Sequence, residues 1–177
     1  QSEQQRRQEA ENLREATIAL SSPLDPDRRY ELILEYLQNF APYDSATIAV
    51  NDLGVYRIVA GRGLPENLNV IGKAIPRSPE LEQLASSRQP LVIADAQIDL
   101  RFEPWSGSEY VRGWMAVPLV AFDTVTGFLY LDSRTPGKFT AEQAALVQTF
   151  ANQAAVAIEN ARLFQSEQER RLENSRL

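Results

Sequence analysis

Asp95 and Asp99 stand four residues apart in a stretch that also holds Arg101, Phe102, Trp105 and Arg112. Carboxylates so placed can do acid–base work, accept hydrogen bonds from a ligand at a pocket mouth, or cap turns and pair with Arg101 or Arg112. Only the last two have support nearby, because the chain has no histidine and no cysteine. That composition removes Ser-His-Asp and Cys-His catalysis, zinc-finger and haem ligation through His, disulfides, and a thioether-linked bilin. It also removes a phosphoryl-accepting histidine. Trp105 lies in a polar loop (Pro104, Ser106, Gly107, Ser108) and must either lid a pocket or plug it. Arg112, just before a strand, is either an anion contact or a surface arginine. Gly61-Arg62-Gly63 is a turn and no dinucleotide fingerprint, since Glu66 occupies the third glycine's place.

The charge balance narrows the partners. Eighteen Lys+Arg oppose 24 Asp+Glu for a net −6, and only Lys73 and Lys138 are lysines. Phosphate neutralisation dominates nucleic-acid affinity, so no nucleic-acid partner is expected. No apolar run approaches the ~20 residues of a membrane span, and no signal-peptide pattern is present. A cytoplasmic setting fits the absent cysteines. Because the chain opens inside a helical pattern, it is expected to be a piece of a longer protein.

Several elements must position these residues. Residues 1–20 lack Gly and Pro and carry Leu13, Ala16, Thr17 and Leu20 at helical spacing, a narrow stripe that needs a partner. Asp25-Pro26 opens a second helix with Tyr30, Ile33, Leu34, Leu37 and Phe40 on one face. Ser45–Asn51 and Val55–Ala60 alternate about Asp52-Leu53-Gly54 as a hairpin. Val70–Ile75 reads as a third strand, Glu80–Ser86 as a short helix, and Pro90–Asp95 as a compact strand. Residues 96–111 form an irregular excursion. Trp114–Phe122 and Gly127–Ser133 make a second hairpin around residues 123–126. Thr140, with Gln143 in capping-box position, opens a helix running to Leu177.

Period-two alternation splits the strands into two sets. Ile48, Val50, Met115, Val117, Leu119, Leu129 and Leu131 form an aliphatic face for the Ala-rich terminal helices. Ser45, Thr47, Ala49, Trp114, Ala116, Pro118, Phe128 and Tyr130 form the opposite face, where flat rings beside small side chains can leave a cavity. Trp114 and Tyr130 are either core or ligand contacts. The candidate pocket set is therefore Thr47, Asp95, Asp99, Phe102, Trp105, Arg112, Trp114 and Tyr130.

Four pieces in order carry a family resemblance: Val92-Ile-Ala-Asp95 with Asp99, Arg101 and Phe102; Gly113-Trp-Met-Ala-Val-Pro118-Leu; Gly127-Phe-Leu-Tyr-Leu-Asp132-Ser; and Phe139-Thr through Gln143, Phe150, Gln153, Ile158 and Asn160. Over residues 24–163 the chain resembles the GAF domain family. The resemblance implies an α+β, GAF/PAS-like fold: a central antiparallel sheet of about six strands flanked by helices, with long N- and C-terminal helices. It implies a regulatory small-molecule-sensing and dimerisation module of a bacterial multidomain signalling protein. Sensor histidine kinase, response regulator and cyclase architectures, two-component systems included, all use such modules. The alternative is a ligand-free dimerisation spacer with a side-chain-plugged pocket. The expected organisation is a signalling helix over 1–22, the domain over 23–163 and an outgoing coiled-coil helix over 164–177. A homodimer through the terminal helices and a downstream kinase, cyclase or response module are the expected partners.

The departures from known subclasses narrow the ligand. Bilin-binding members and the free-methionine-sulfoxide reductases of the family need cysteine, and haem-binding relatives generally use histidine. Of the cyclic-nucleotide signature, Asn-Lys…Phe…Asp-Glu, only Phe139 is matched; Ser133-Arg134 and Glu142-Gln143 stand in the other places. The expectation is no catalytic residue, no metal, no covalent cofactor, and an unidentified small molecule as ligand.

Overall fold

The computed structural model describes residues 2–176. Ser2 caps the first helix, α1 (Glu3–Leu20), by accepting from the Gln5 amide. Asp25 caps α2 (Pro26–Leu37) by accepting from the Arg28 amide at 2.8 Å, with proline in the first turn. A buried arginine joins the two: Arg29 donates to the carbonyls of Leu20 and Ser22, satisfying the C-terminal end of α1. The stripe Leu13, Ala16, Leu20 thus finds its partner inside the domain, with Ala16 and Leu20 fully covered.

Strands β1 (Ser45–Asp52) and β2 (Val55–Arg62) are joined by a two-residue turn, Leu53-Gly54, both left-handed. Then come α3 (Pro79–Ser87), β3 (Leu91–Ile93), β4 (Gly113–Ala121), β5 (Thr124–Ser133) and α4 (Ala141–Ser175). The sheet is antiparallel throughout in the order β2-β1-β5-β4-β3. It has five strands rather than six. Residues 70–75 run along the outer edge of β2 and exchange backbone hydrogen bonds with Ile58 and Tyr56. Gly72 turns left-handed in their midst, so only a single bridge, Arg57 to Ala74, forms. The β4–β5 turn is also tighter than the alternation implies: Phe122 and Asp123 alone make it, both at positive φ, and β5 starts at Thr124.

Pro118 sits inside β4, where a proline would cost a ladder hydrogen bond in a fully paired strand. It is tolerated because β3 ends its pairing at Leu91 opposite Ala116, leaving that edge of β4 free. The helical layer covers one face. Ile48, Met115, Val117, Leu119, Leu129 and Leu131 meet Ile33, Leu34 and Leu37 of α2 and Val147, Phe150, Ala151, Ala154 and Ala155 of α4 in one continuous core. Phe40 and Phe150 stack at 5.0 Å within it. Thr140 and Gln143 complete the capping box of α4. That helix spans 35 residues, about 52 Å at 1.5 Å per residue. From Arg162 to Arg176 all its residues are exposed, so α1 does not cover this stretch.

Candidate functional site: a cavity on the loop-covered face

The opposite face carries no helical layer of comparable size. Its side chains divide into three small clusters, around Ala49–Ile58–Leu68–Val70, around Leu81–Leu84–Ala116–Phe128, and around Ile93–Ala96–Val111. Between them lies a cavity of about 160 Å³. Its floor is Thr47, Tyr130 and Asp132 from β1 and β5; Trp114, Leu81 and Leu84 wall it, and Phe102, Trp105 and Ser108 come from the long loop. Trp114 stacks on Tyr130 at 5.7 Å, and Phe102 meets Trp114 edge-on at 5.8 Å.

The loop is held in place by backbone geometry. The Trp105 amide donates to Ser108 Oγ at 2.9 Å, and that hydroxyl donates back to the Trp105 carbonyl at 2.6 Å. Gly107 is left-handed, and a Cβ there would lie 2.6 Å from the Asn67 carbonyl oxygen, so only glycine lets the loop close on the 65–68 turn. Lys73 Nζ lies over the Trp105 ring, 5.9 Å from its centre.

Polar groups converge on the floor. Ser45 Oγ donates to Asp132 Oδ2 at 2.8 Å. The Ser45 proton being used, Tyr110 is the donor in the 2.6 Å Tyr110–Ser45 contact. Arg134 covers the Tyr110 ring at 4.7 Å. Among the described residues nothing pairs ionically with Asp132, and removal from bulk water pushes its carboxyl up to about 7, with the Ser45 bond opposing. Burial also pushes the Tyr130 phenol up. The hydroxyls of Thr47, which is 93% covered, and of Tyr130 have no hydrogen-bond partner among the described residues. These hydroxyls and the Asp132 carboxylate are the polar groups that an occupant of the cavity would meet.

The model described as GAF domain matches residues 25–158, well over half of the chain. The chain belongs to the GAF domain family. In fold it is similar to the GAF domain of a phosphoenolpyruvate-protein phosphotransferase from Coxiella burnetii, with TM-score 0.76 and 21% identity over 90% of this chain and 97% of that one. It is also similar to a free methionine-R-sulfoxide reductase from Neisseria meningitidis solved with its substrate (TM-score 0.72, 16% identity, 88% and 90% covered). A third likeness is the GAF domain of a two-component sensor histidine kinase from Bacillus halodurans (TM-score 0.67, 14% identity, 81% and 99% covered). At such identities the likeness is one of fold. GAF domains are regulatory sensing modules of signalling proteins, although some relatives are enzymes.

In this GAF domain, five of the eight residues singled out from sequence line the cavity: Thr47, Phe102, Trp105, Trp114 and Tyr130. The three others stand apart from it in two ion pairs. Asp95 binds Arg112 through two bonds of 2.9 and 2.8 Å and accepts from the Gln97 amide. Asp99 holds Arg101 through bonds of 3.0 and 2.7 Å and accepts from its amide. Each arginine keeps its aspartate below the ordinary range, Asp99 at about 2. Both carboxylates are turn caps with a cation attached. Trp105 is half-buried and lines the cavity. Sequence reasoning missed Asp132, Ser45 and Tyr110 as site residues. The alternation that put Tyr130 on this face also put Asp132 there, two residues on, so that signal was available; Tyr110, in the irregular loop, offered none.

Proposed function

We propose that this domain is a small-molecule-sensing and dimerisation module of a signal-transduction protein, relaying the state of its cavity through the terminal helices to an output domain of kinase, cyclase or response type. The observation that carries the reading is the shared strand. Thr47 faces the cavity while Ile48 next to it packs in the helix core, and Tyr130 and Asp132 alternate with Leu129 and Leu131 in the same way. Occupancy that shifts these strands, or that favours one arrangement of the 96–112 loop, biases how α4 sits on β4; a ligand acts only by its differential affinity for the two arrangements.

Dimerisation draws its support from exposed apolar side chains on the terminal helices: Ile18, Leu163, Phe164 and Leu172 are each more than half exposed. A second reading, the ligand-free spacer, draws on the cavity's size. At about 160 Å³ it is below the ~300 Å³ at which pockets for drug-sized ligands begin. Native mass spectrometry separates the two. A dimer with a discrete added mass supports the sensor. An adduct-free dimer, with none regained after incubation with cell metabolites, supports the spacer. Replacing both Leu163 and Phe164 by Glu is expected to give monomers with wild-type circular dichroism; an unchanged dimer mass would end the helix-pairing idea.

A further inference from the structure

We infer that the cavity selects a small organic ammonium ion, its N–H donors directed at Asp132 and its apolar body held among Trp105, Trp114 and Tyr130. The inference rests on the sensor reading and names the class of molecule it senses.

Three observations lead there. First, the other two acids singled out beside this cavity, Asp95 and Asp99, each own an arginine, whereas Asp132 has only the Ser45 hydroxyl and faces the space where a partner would sit. A carboxylate taken from water without a cation is a costly feature, and a cationic occupant removes the cost. Secondly, the charged wall is acidic: Glu80, Glu103 and Asp132 against Arg101 alone, which Asp99 already engages. An anionic ligand would find no free cation on the lining. Thirdly, the rest of the surface is aromatic and aliphatic, with ring faces available for a cation and its hydrocarbon. A cavity of about 160 Å³ is close to the ~150 Å³ that accommodates a benzene, so the occupant has roughly five to eight heavy atoms. The unfilled hydroxyls of Thr47 and Tyr130 supply acceptors for the remaining N–H groups.

The test titrates isobutylammonium, cyclohexylammonium and benzylammonium, each beside the alcohol of the same shape, by calorimetry and by tryptophan fluorescence. Both tryptophans of the chain line the cavity, so fluorescence localises the event. At least one ammonium is expected to bind about tenfold or more tightly than its alcohol, the worth of a charge-assisted hydrogen bond. Asp132→Asn, which retains an acceptor for Ser45, should erase that preference with unchanged circular dichroism.

A second readout needs no variant. With burial pushing the Asp132 carboxyl up to about 7, ammonium affinity should rise about tenfold from pH 6 to pH 8, while the alcohols stay level. The charged or titratable neighbours are Tyr130 on the same strand, Glu80, Glu103 and Arg101 on the wall, Lys73 over Trp105, and Tyr110, Arg134 and Asp44 behind Ser45; the loss of the slope in Asp132→Asn assigns it among them. Equal binding of ammonium and alcohol, or undiminished ammonium binding by Asp132→Asn, overturns the cation assignment and leaves the sensor reading standing. Binding of no probe, either to the native domain or to Trp105→Ala with its widened mouth, overturns both.

Discussion

The two faces of one sheet are built to different ends. On the helix side, Ile48, Met115, Val117, Leu119, Leu129 and Leu131 have no exposure and join a single core with α1, α2 and α4. On the loop side, the alternate residues of the same strands end in three separate clusters with a cavity between them. Aliphatic branches of the strands pack against the alanine-rich helix in one continuous core. Flat rings and hydroxyls under a loop pinned at Gly107 leave a cavity. The first face holds the fold together; the second gives up packing and keeps the polar side chains of Thr47, Tyr130 and Asp132 on a cavity.

The largest expected effect breaks the helix face. Phe150 is fully buried and stacked on Phe40, and its replacement by Ala should cost about 3–5 kcal/mol, transfer and cavity terms together. Urea denaturation followed by circular dichroism measures it. A loss as small as that from removing a half-exposed side chain would mean that the two faces do not differ in the way described.

An intermediate effect sharpens the contrast through pH. The Asp132 carboxyl is raised from 3.8 to about 7 in the folded domain. The folded state therefore binds the proton more tightly than the unfolded chain between these values, and stability falls as pH rises from about 4 to about 7. The full shift corresponds to about 2–4 kcal/mol once solvent in the cavity is allowed for. Asp95 and Asp99, held low by their arginines, act with the opposite sign: their contribution is lost as pH falls below about 4. Denaturation midpoints from pH 4 to 8 should thus decline for the native sequence, and the decline should shrink in Asp132→Asn. A profile identical in the two proteins would show that Asp132 is ordinarily solvated.

Most of the architecture was legible because it rests on local rules. Thr140 with Gln143, Asp25 with Pro26, and the alternation of Met115–Leu119 each fix an element regardless of distant context. The sixth strand was misjudged since Val70 to Ile75 has β-forming side chains, while the geometry at Gly72 decides whether a ladder continues. Within the site, residues on strands were found by period: Thr47, Trp114 and Tyr130. Asp95, read at the end of a strand, and Asp99, in the irregular stretch after it, have no period to place them. Asp95 and Asp99 pair with Arg112 and Arg101, 17 and two positions away, which is the turn-capping alternative that the sequence offered beside a ligand role; the choice between the two is made only by the folded loop. Asp132 looked like a strand-end residue, yet its surroundings make it the unusual carboxylate.

The smallest expected effect tests that last distinction from the other side. Arg112→Gln removes the guanidinium of an ion pair at the edge of the loop whose side chains are 36% and 16% exposed. Pairs that keep contact with solvent contribute little, because water competes for their charges and ordering two side chains costs entropy. The melting temperature should stay near that of the native sequence, and the affinity for any cavity ligand should be unaltered, since Arg112 is not part of the lining. What should change is Asp95, whose low pKa is set first by the Arg112 hydrogen bond and then by the Gln97 amide. In a carbon-detected NMR titration its midpoint should move upward, while that of Asp132 stays where it is. Parallel movement of both midpoints would mean that the loop and the cavity floor share one electrostatic network, and that Asp132 is not isolated from the arginines after all.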